Sequence, residues 1–195
     1  MRPAMRTFAL SLLAALFFFV FFVGSARPAA AQEEIIIERK VVEPGILFVF
    51  EGAPQDDITP RGAHLSESAT DVHLELRANW SRADSVDVPR PAARGGFVPY
   101  AQPHVRVENQ RTGQATFVSL VPHAKVNSGL HYARNVALPG NPAEDTYAVT
   151  YTVRPPGSGE VAFHANWREE ISGQLFEKQT FRFEDVNFAP ALAAD

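Results

Sequence analysis

The chain has no cysteine, and its only two methionines, Met1 and Met5, lie at the extreme N-terminus. Without cysteine there are no disulfides, no thiolate metal site, no thiol nucleophile and no lipoprotein-type anchor. Beyond the first residues there is no thioether donor either, so a soft Cu(I) site of the thiolate or thioether kind is excluded. A Gly-x-Ser-x-Gly elbow and a glycine-rich phosphate loop are also missing, so nothing points to nucleophilic catalysis and no enzymatic activity is expected. No stretch past the N-terminal segment keeps an apolar 3.6-residue period over three turns, which argues against a helical fold. What is present instead is six histidines among many acidic residues.

The N-terminal segment reads as a secretory signal. Arg2 and Arg6 form a basic start, Phe8 to Val23 is an apolar run broken only by Ser11, and Ala29-Ala30-Ala31 offers a cleavage site before Gln32. An uncleaved anchor is the alternative, for which the run is short of the ~20 residues a spanning helix needs. The expected organisation is a signal peptide over 1–31 and a single domain over 32–195, located in the periplasm. Loss of Arg2, Arg6 and Arg27 with the leader takes the formal net charge from −4 to −7. That balance disfavours nucleic acid and anionic lipid as partners, and no membrane insertion is expected after cleavage. It is compatible with binding a cation.

Strand signals dominate the remainder. Ile46 to Phe50 and Phe117 to Val121 are compact apolar runs. Val72, Leu74 and Leu76 alternate with His73, Glu75 and Arg77, and Val105 and Val107 alternate with His104 and Arg106. The same period of two recurs over Tyr147 to Arg154 and at Phe181 and Phe183, the mark of half-buried antiparallel strands. Turns are signalled at Asn109 to Gly113, Pro139 to Pro142, Pro155 to Gly159 and Ser172-Gly173. Six or more such strands predict an all-β, immunoglobulin-like antiparallel β-sandwich, without the cysteine pair of antibody domains. Ser81 to Gly96, rich in Pro, Arg, Ala and Gly, reads as a long loop.

Several histidines stand in settings that suit metal ligation. Residues i and i+2 of a strand share a face, so with Val72, Leu74 and Leu76 facing the core, His73 and Glu75 share the outer face. They could ligate together, or the carboxylate could orient the imidazole; the bland alternative is a solvated polar face. His123 ends a strand and His131 follows the turn Asn127-Ser128-Gly129, a separation that can bring two imidazoles together at a sheet end. His164 closes a short strand from Val161 and leads into a polar loop, Asn166 to Gln174. His64 and His104 have no acidic or histidine neighbour within two positions and are set aside.

Taken in order, these segments resemble the periplasmic iron-transport accessory family, FetP-like proteins, from about Ile46 to Phe188. The pieces that bear the resemblance are Asp71-Val72-His73-Leu74-Glu75, Pro99-Tyr100, Thr112-Gly113, Leu120-Val121-Pro122-His123, His131-Tyr132 with Asn135, and His164 followed by Glu169-Glu170 and Phe176-Glu177. The resemblance implies an immunoglobulin-like homodimer with a metal site that takes copper, serving iron uptake by an inner-membrane permease. By motif the metal site falls on His73, Glu75, His131 and His164, and His123 stands where the family places a methionine ligand. Imidazole at that position favours Cu(II), Zn(II) and Fe(II) over Cu(I). The loop from His123 to His131 is one residue longer than the family's and lacks its acidic residues. The expected function is a periplasmic metal-binding protein, holding copper and/or iron with zinc also possible at His73, Glu75, His123, His131 and His164. The alternative is a copper or zinc buffer or chaperone with no iron role.

Overall fold

The computed structural model describes residues 34–60, 70–126, 128–171 and 173–192. All of these belong to one compact unit, Gln32–Asp195; the proposed leader, like His64, lies outside the described residues. Among the described residues no helix is long and apolar enough to cross a membrane.

Among the described residues, nine strands form two antiparallel sheets. They are β1 (Ile35–Val42), β2 (Ile46–Pro54), β3 (Val72–Trp80), β4 (Gln102–Asn109), β5 (Ala115–Ser119), β6 (Val121–Lys125), β7 (Gly129–Val136), β8 (Tyr147–Arg154) and β9 (Gln179–Val186). One sheet has the order β1-β2-β3-β7-β6 and the other β5-β4-β8-β9. The expected sandwich is therefore observed. Its core is built from the alternation read in the sequence: Phe48, Phe50, Leu74 and Leu76 of the first sheet pack toward Val105, Val149 and Tyr151 of the second, all buried. Phe50 anchors an aromatic cluster, with ring centroids 4.7 Å from Tyr151 and 5.0 Å from both Phe181 and Phe183. Such offset pairs add stability beyond the area they bury.

Four local features differ from the expectations. The strand β1 precedes the expected set and sits at a sheet edge, with a bulge between Ile36 and Glu38 and the charges Glu38, Arg39 and Lys40 along it. Charges and bulges of this kind blunt an edge against further pairing. The run Phe117 to Val121 is not one strand: β5 ends at Ser119, Leu120 is buried, and β6 begins at Val121 in the opposite sheet. Pro122, which has no N–H to donate, is tolerated because β6 is an edge strand. Val161 forms only an isolated bridge with Ser158, so no strand leads into His164. The polar segment after it contains a short helix, α1 (Ala165–Ile171), too brief to show a helical period in sequence. Ser81 to Gly96 is a loop of turns, as expected.

Candidate metal centre

The order β3-β7-β6 sets three strands side by side, and their registers align four candidate ligands on one surface. Glu75 pairs with Ala133, His73 with Asn135, and His123 lies directly opposite His131 in the β6–β7 hairpin. Because directly opposed residues and residues two apart share a face, all four project from the outer side of the first sheet. The hairpin closes through Gly129, whose φ of +72° is a conformation that side-chain-bearing residues rarely adopt.

That outer face is not solvated here. His73 and His131 are each 1% exposed, Glu75 3% and His123 8%. One ring nitrogen from each of His73, His123 and His131 falls within 4.8 Å of the others. The His73 and His123 rings are nearly parallel at 5.5 Å, while His123 and His131 meet edge-on at 6.0 Å. Glu75 completes the group: Oε1 is 3.7 Å from His73 Nε2, and Oε2 is 3.9 Å from His131 Nε2. A cavity of about 480 Å³ opens onto His73, His123 and His131 between Asp56, Ile58, Pro122 and Lys125.

Hydrogen bonds decide which nitrogens are available. Asn135 Nδ2 donates to the carbonyl of Asp56 at 2.8 Å, and Asn135 Oδ1 accepts the Asp56 N–H at 3.3 Å. This reciprocal pair fixes the amide orientation, so Oδ1 is the atom that faces His73 Nδ1 at 2.8 Å. An amide oxygen only accepts, so His73 carries its proton on Nδ1 and keeps a lone pair on Nε2. The same logic holds for His131, whose Nδ1 donates to the carbonyl of Gly129 at 3.2 Å. Burial holds the His73 pKa below the usual histidine value, against the opposing pull of Asn135 and Glu75. His73 is therefore neutral near pH 7, the form a metal requires.

The result is a buried concentration of acceptors. Two Nε2 lone pairs converge on a carboxylate, and Glu75 Oε1 makes no hydrogen bond among the described residues. Lys125 is the cation that reaches this carboxylate, with Nζ 3.5 Å from Glu75 Oε1 and 3.1 Å from Glu34 Oε1, while the Arg77 guanidinium is engaged with Glu51. Burial works against the Lys125 charge, but the Glu34 hydrogen bond and the Glu75 charge outweigh it and raise the pKa. Three imidazoles and a carboxylate suit a borderline divalent cation. At metal–nitrogen distances of ~2.0–2.1 Å, tetrahedral donors stand roughly 3.4 Å apart, so side-chain rotations of about an ångström close the observed cluster around an ion.

His164 is not part of this cluster. It is exposed, and its carbonyl accepts the N–H groups of Trp167 and Arg168 at the start of α1. Trp167 packs on Trp80, with ring centroids 5.9 Å apart. Trp80 is seven residues along β3 from His73, a separation of ~23 Å. Within a single chain His164 therefore stands apart from His73, His123 and His131, its segment held near Trp80 at the other end of β3. His104 is exposed on the other sheet and pairs with Ser119 Oγ at 2.9 Å. Asp71, next to the His73 strand, accepts the Leu138 N–H at 2.7 Å and serves the fold.

Sequence reasoning assigned no role to Asn135, Asp56 or Lys125. Asn135 shares the face of His131 by β7 alternation, and Lys125 that of His123 by β6 alternation, so period two could have found both. Asp56 lies in an irregular segment with no such signal.

Residues 31–190 match the family described as Fe2+ transport protein, and the chain belongs to that family. Its fold is shared by solved structures of P19 and FetP proteins. A copper-bound variant of Campylobacter jejuni P19 superposes with a TM-score of 0.64 at 23% identity, covering 78% of this chain and 95% of that one. Copper-reconstituted P19 gives 0.63 at 22%, covering 78% and 94%. A copper-bound variant of FetP from uropathogenic Escherichia coli gives 0.62 at 21%, covering 80% and 99%. A comparison with curated protein sequences gives no significant match.

Proposed function

We propose that this is a periplasmic metal-binding protein that takes a divalent transition-metal ion at His73, Glu75, His123 and His131 and assists iron uptake by an inner-membrane permease. The observation that carries the binding site is the buried acceptor cluster. Two imidazoles present Nε2 to a buried carboxylate whose Oε1 makes no hydrogen bond among the described residues, a set of acceptors that a metal ion would satisfy. The role in iron uptake rests on membership of the Fe2+ transport protein family. That copper is bound in the P19 and FetP structures supports copper and iron as the ions to test. Export to the periplasm rests on the N-terminal segment, and a homodimer and a permease partner rest on the family resemblance alone.

The reading is tested by competitive titration of the full-length mature protein against chelators of known affinity. Cu(II) and Zn(II) should bind more tightly than Fe(II) and Mn(II), because the Irving–Williams order acts unopposed at a site of imidazole and carboxylate. Equal or tighter Mn(II) binding would refute an imidazole-rich site. A second reading, a copper or zinc buffer without an iron role, is favoured by one feature: the third imidazole, His123, in place of a thioether. Metal content of protein isolated from the periplasm of iron-limited cells separates the two.

A further inference from the structure

Lys125 stands on β6 two residues beyond His123, on the same outer face as the ligands. Its ammonium lies between two carboxylates of different character. Glu75 is buried, its side chain 4% exposed and Oε1 3.5 Å away; Glu34 is 55% exposed and Oε1 is 3.1 Å away. The distal end of this side chain thus occupies the charge environment that an incoming cation would need, with an alternative anion within reach on the solvent side.

We propose that Lys125 is the built-in counter-ion of the metal centre: an entering cation displaces its ammonium from Glu75, and Glu34 holds it aside. This rests on the metal-binding reading above and adds a residue that limits affinity and discriminates by charge. Metal and ammonium compete for the same carboxylate oxygen, so the site binds less tightly than its imidazoles would allow and releases its ion more readily. The ammonium stays close after it moves, and Coulomb repulsion scales with the product of the charges. That repulsion is therefore twice as large in free energy for a dication as for a monocation, and where it dominates the penalty the dication's fold-change is about the square of the monocation's. Glu34 reduces the penalty by drawing the ammonium outward.

The test is metal affinity by chelator competition, with Zn(II) and Cu(I) as probes, on the mature protein and on Lys125→Met, Lys125→Arg, Glu34→Gln and Lys125→Met/Glu34→Gln. Methionine keeps the length of the apolar stem and removes the charge. Lys125→Met should tighten Zn(II) binding by about tenfold and Cu(I) binding by only about threefold. Lys125→Arg, which restores a fixed positive charge, should return both toward wild type. Glu34→Gln should weaken Zn(II) binding about threefold, and that effect should vanish in the double variant, since coupled neighbours are non-additive. Unchanged or weaker Zn(II) binding in a folded Lys125→Met protein would overturn the proposal while leaving the metal-binding reading standing. If Lys125→Met does not fold, a Glu34→Gln protein that binds Zn(II) as wild type does overturns it. Failure of the wild-type protein to bind either ion would overturn both.

Discussion

Asn135 Oδ1 accepts the Nδ1 proton of His73 at 2.8 Å, and the same amide is locked to the backbone of Asp56 on its other side. One buried side chain therefore ties a β7 position, a β3 ligand and the loop after β2 together. It selects the His73 tautomer that leaves Nε2 free for a metal. Loss of such an orienting partner typically costs 10–100-fold in metal affinity. Asn135→Ala should lower Cu(II) and Zn(II) affinity within that range and destabilise the apo-protein by about 1–3 kcal/mol, since Asp56 and His73 lose partners in a buried setting. Chelator competition and urea unfolding read the two effects, and the nitrogen chemical shifts of His73 report the tautomer. Retention of the Nδ1-protonated tautomer and full affinity in Asn135→Ala would exclude the orienting role.

The depressed pKa of His73 has a defined sign in folding. Its folded-state value lies below the ordinary histidine value because burial disfavours the imidazolium. Between the two values the unfolded chain binds the proton and the folded chain does not, so stability rises with pH there. The contribution is present in full above the unfolded pKa of ~6.5 and is lost as pH falls from there through the folded value. The apo-protein should therefore lose stability on acidification below about pH 6.5. Replacement of His73 by Asn should flatten this part of the profile. Urea unfolding at pH 7.5, 6.0 and 5.0 measures the difference, and parallel profiles would show that His73 takes up its proton equally in the folded and unfolded states.

Much of the fold was legible because period-two alternation reports a half-buried strand directly. Val72, Leu74 and Leu76 do face the core, and His73 and Glu75 do share the other face. The same rule does not say how deep that other face lies: neighbouring strands and the Asp56 segment cover it, a tertiary effect with no local signature. Alternation is equally blind to sheet membership, which is why Phe117 to Val121 reads as one strand although the chain changes sheets at Leu120. In β1 the apolar Ile35-Ile36-Ile37 and the charged Glu38-Arg39-Lys40 follow one another without alternating, so an edge strand with a bulge leaves no period to find. His123 and His131 were legible as a pair because a hairpin constrains residues flanking its turn. His164 had only a family likeness behind it, and in one chain a short helix and the Trp167–Trp80 contact hold its segment at the far end of β3.

The pairing of His123 with His131 across the hairpin has a redox consequence. Imidazole favours Cu(II), whereas a thioether of comparable reach stabilises Cu(I). His123→Met should raise the copper reduction potential of the loaded protein and shift the ratio of Cu(I) to Cu(II) affinity toward Cu(I). Protein-film voltammetry on wild type and variant gives the comparison. An unchanged potential would mean that His123 does not touch the ion, despite lying within ligating distance of His73 and His131.

The physiological prediction separates iron uptake from metal buffering. A strain lacking the protein should grow poorly when iron is scarce and recover with iron in excess. His131 is 1% exposed, so truncation to alanine would confound loss of a ligand with a packing defect of a few kcal/mol; His131→Gln keeps most of the volume and a hydrogen-bonding end. That variant should fold, lose metal affinity and reproduce the growth defect, with uptake of labelled Fe(II) reduced in proportion. The logic is that a ligand on the hairpin acts on the ion, not on the core formed by Phe48, Phe50 and Tyr151 on the opposite side of the sheet. A folded His131→Gln protein that supports full iron uptake would reject the site while leaving family membership intact. Growth limited by copper or zinc, with Fe(II) uptake unaffected, would reject iron uptake in favour of the buffer.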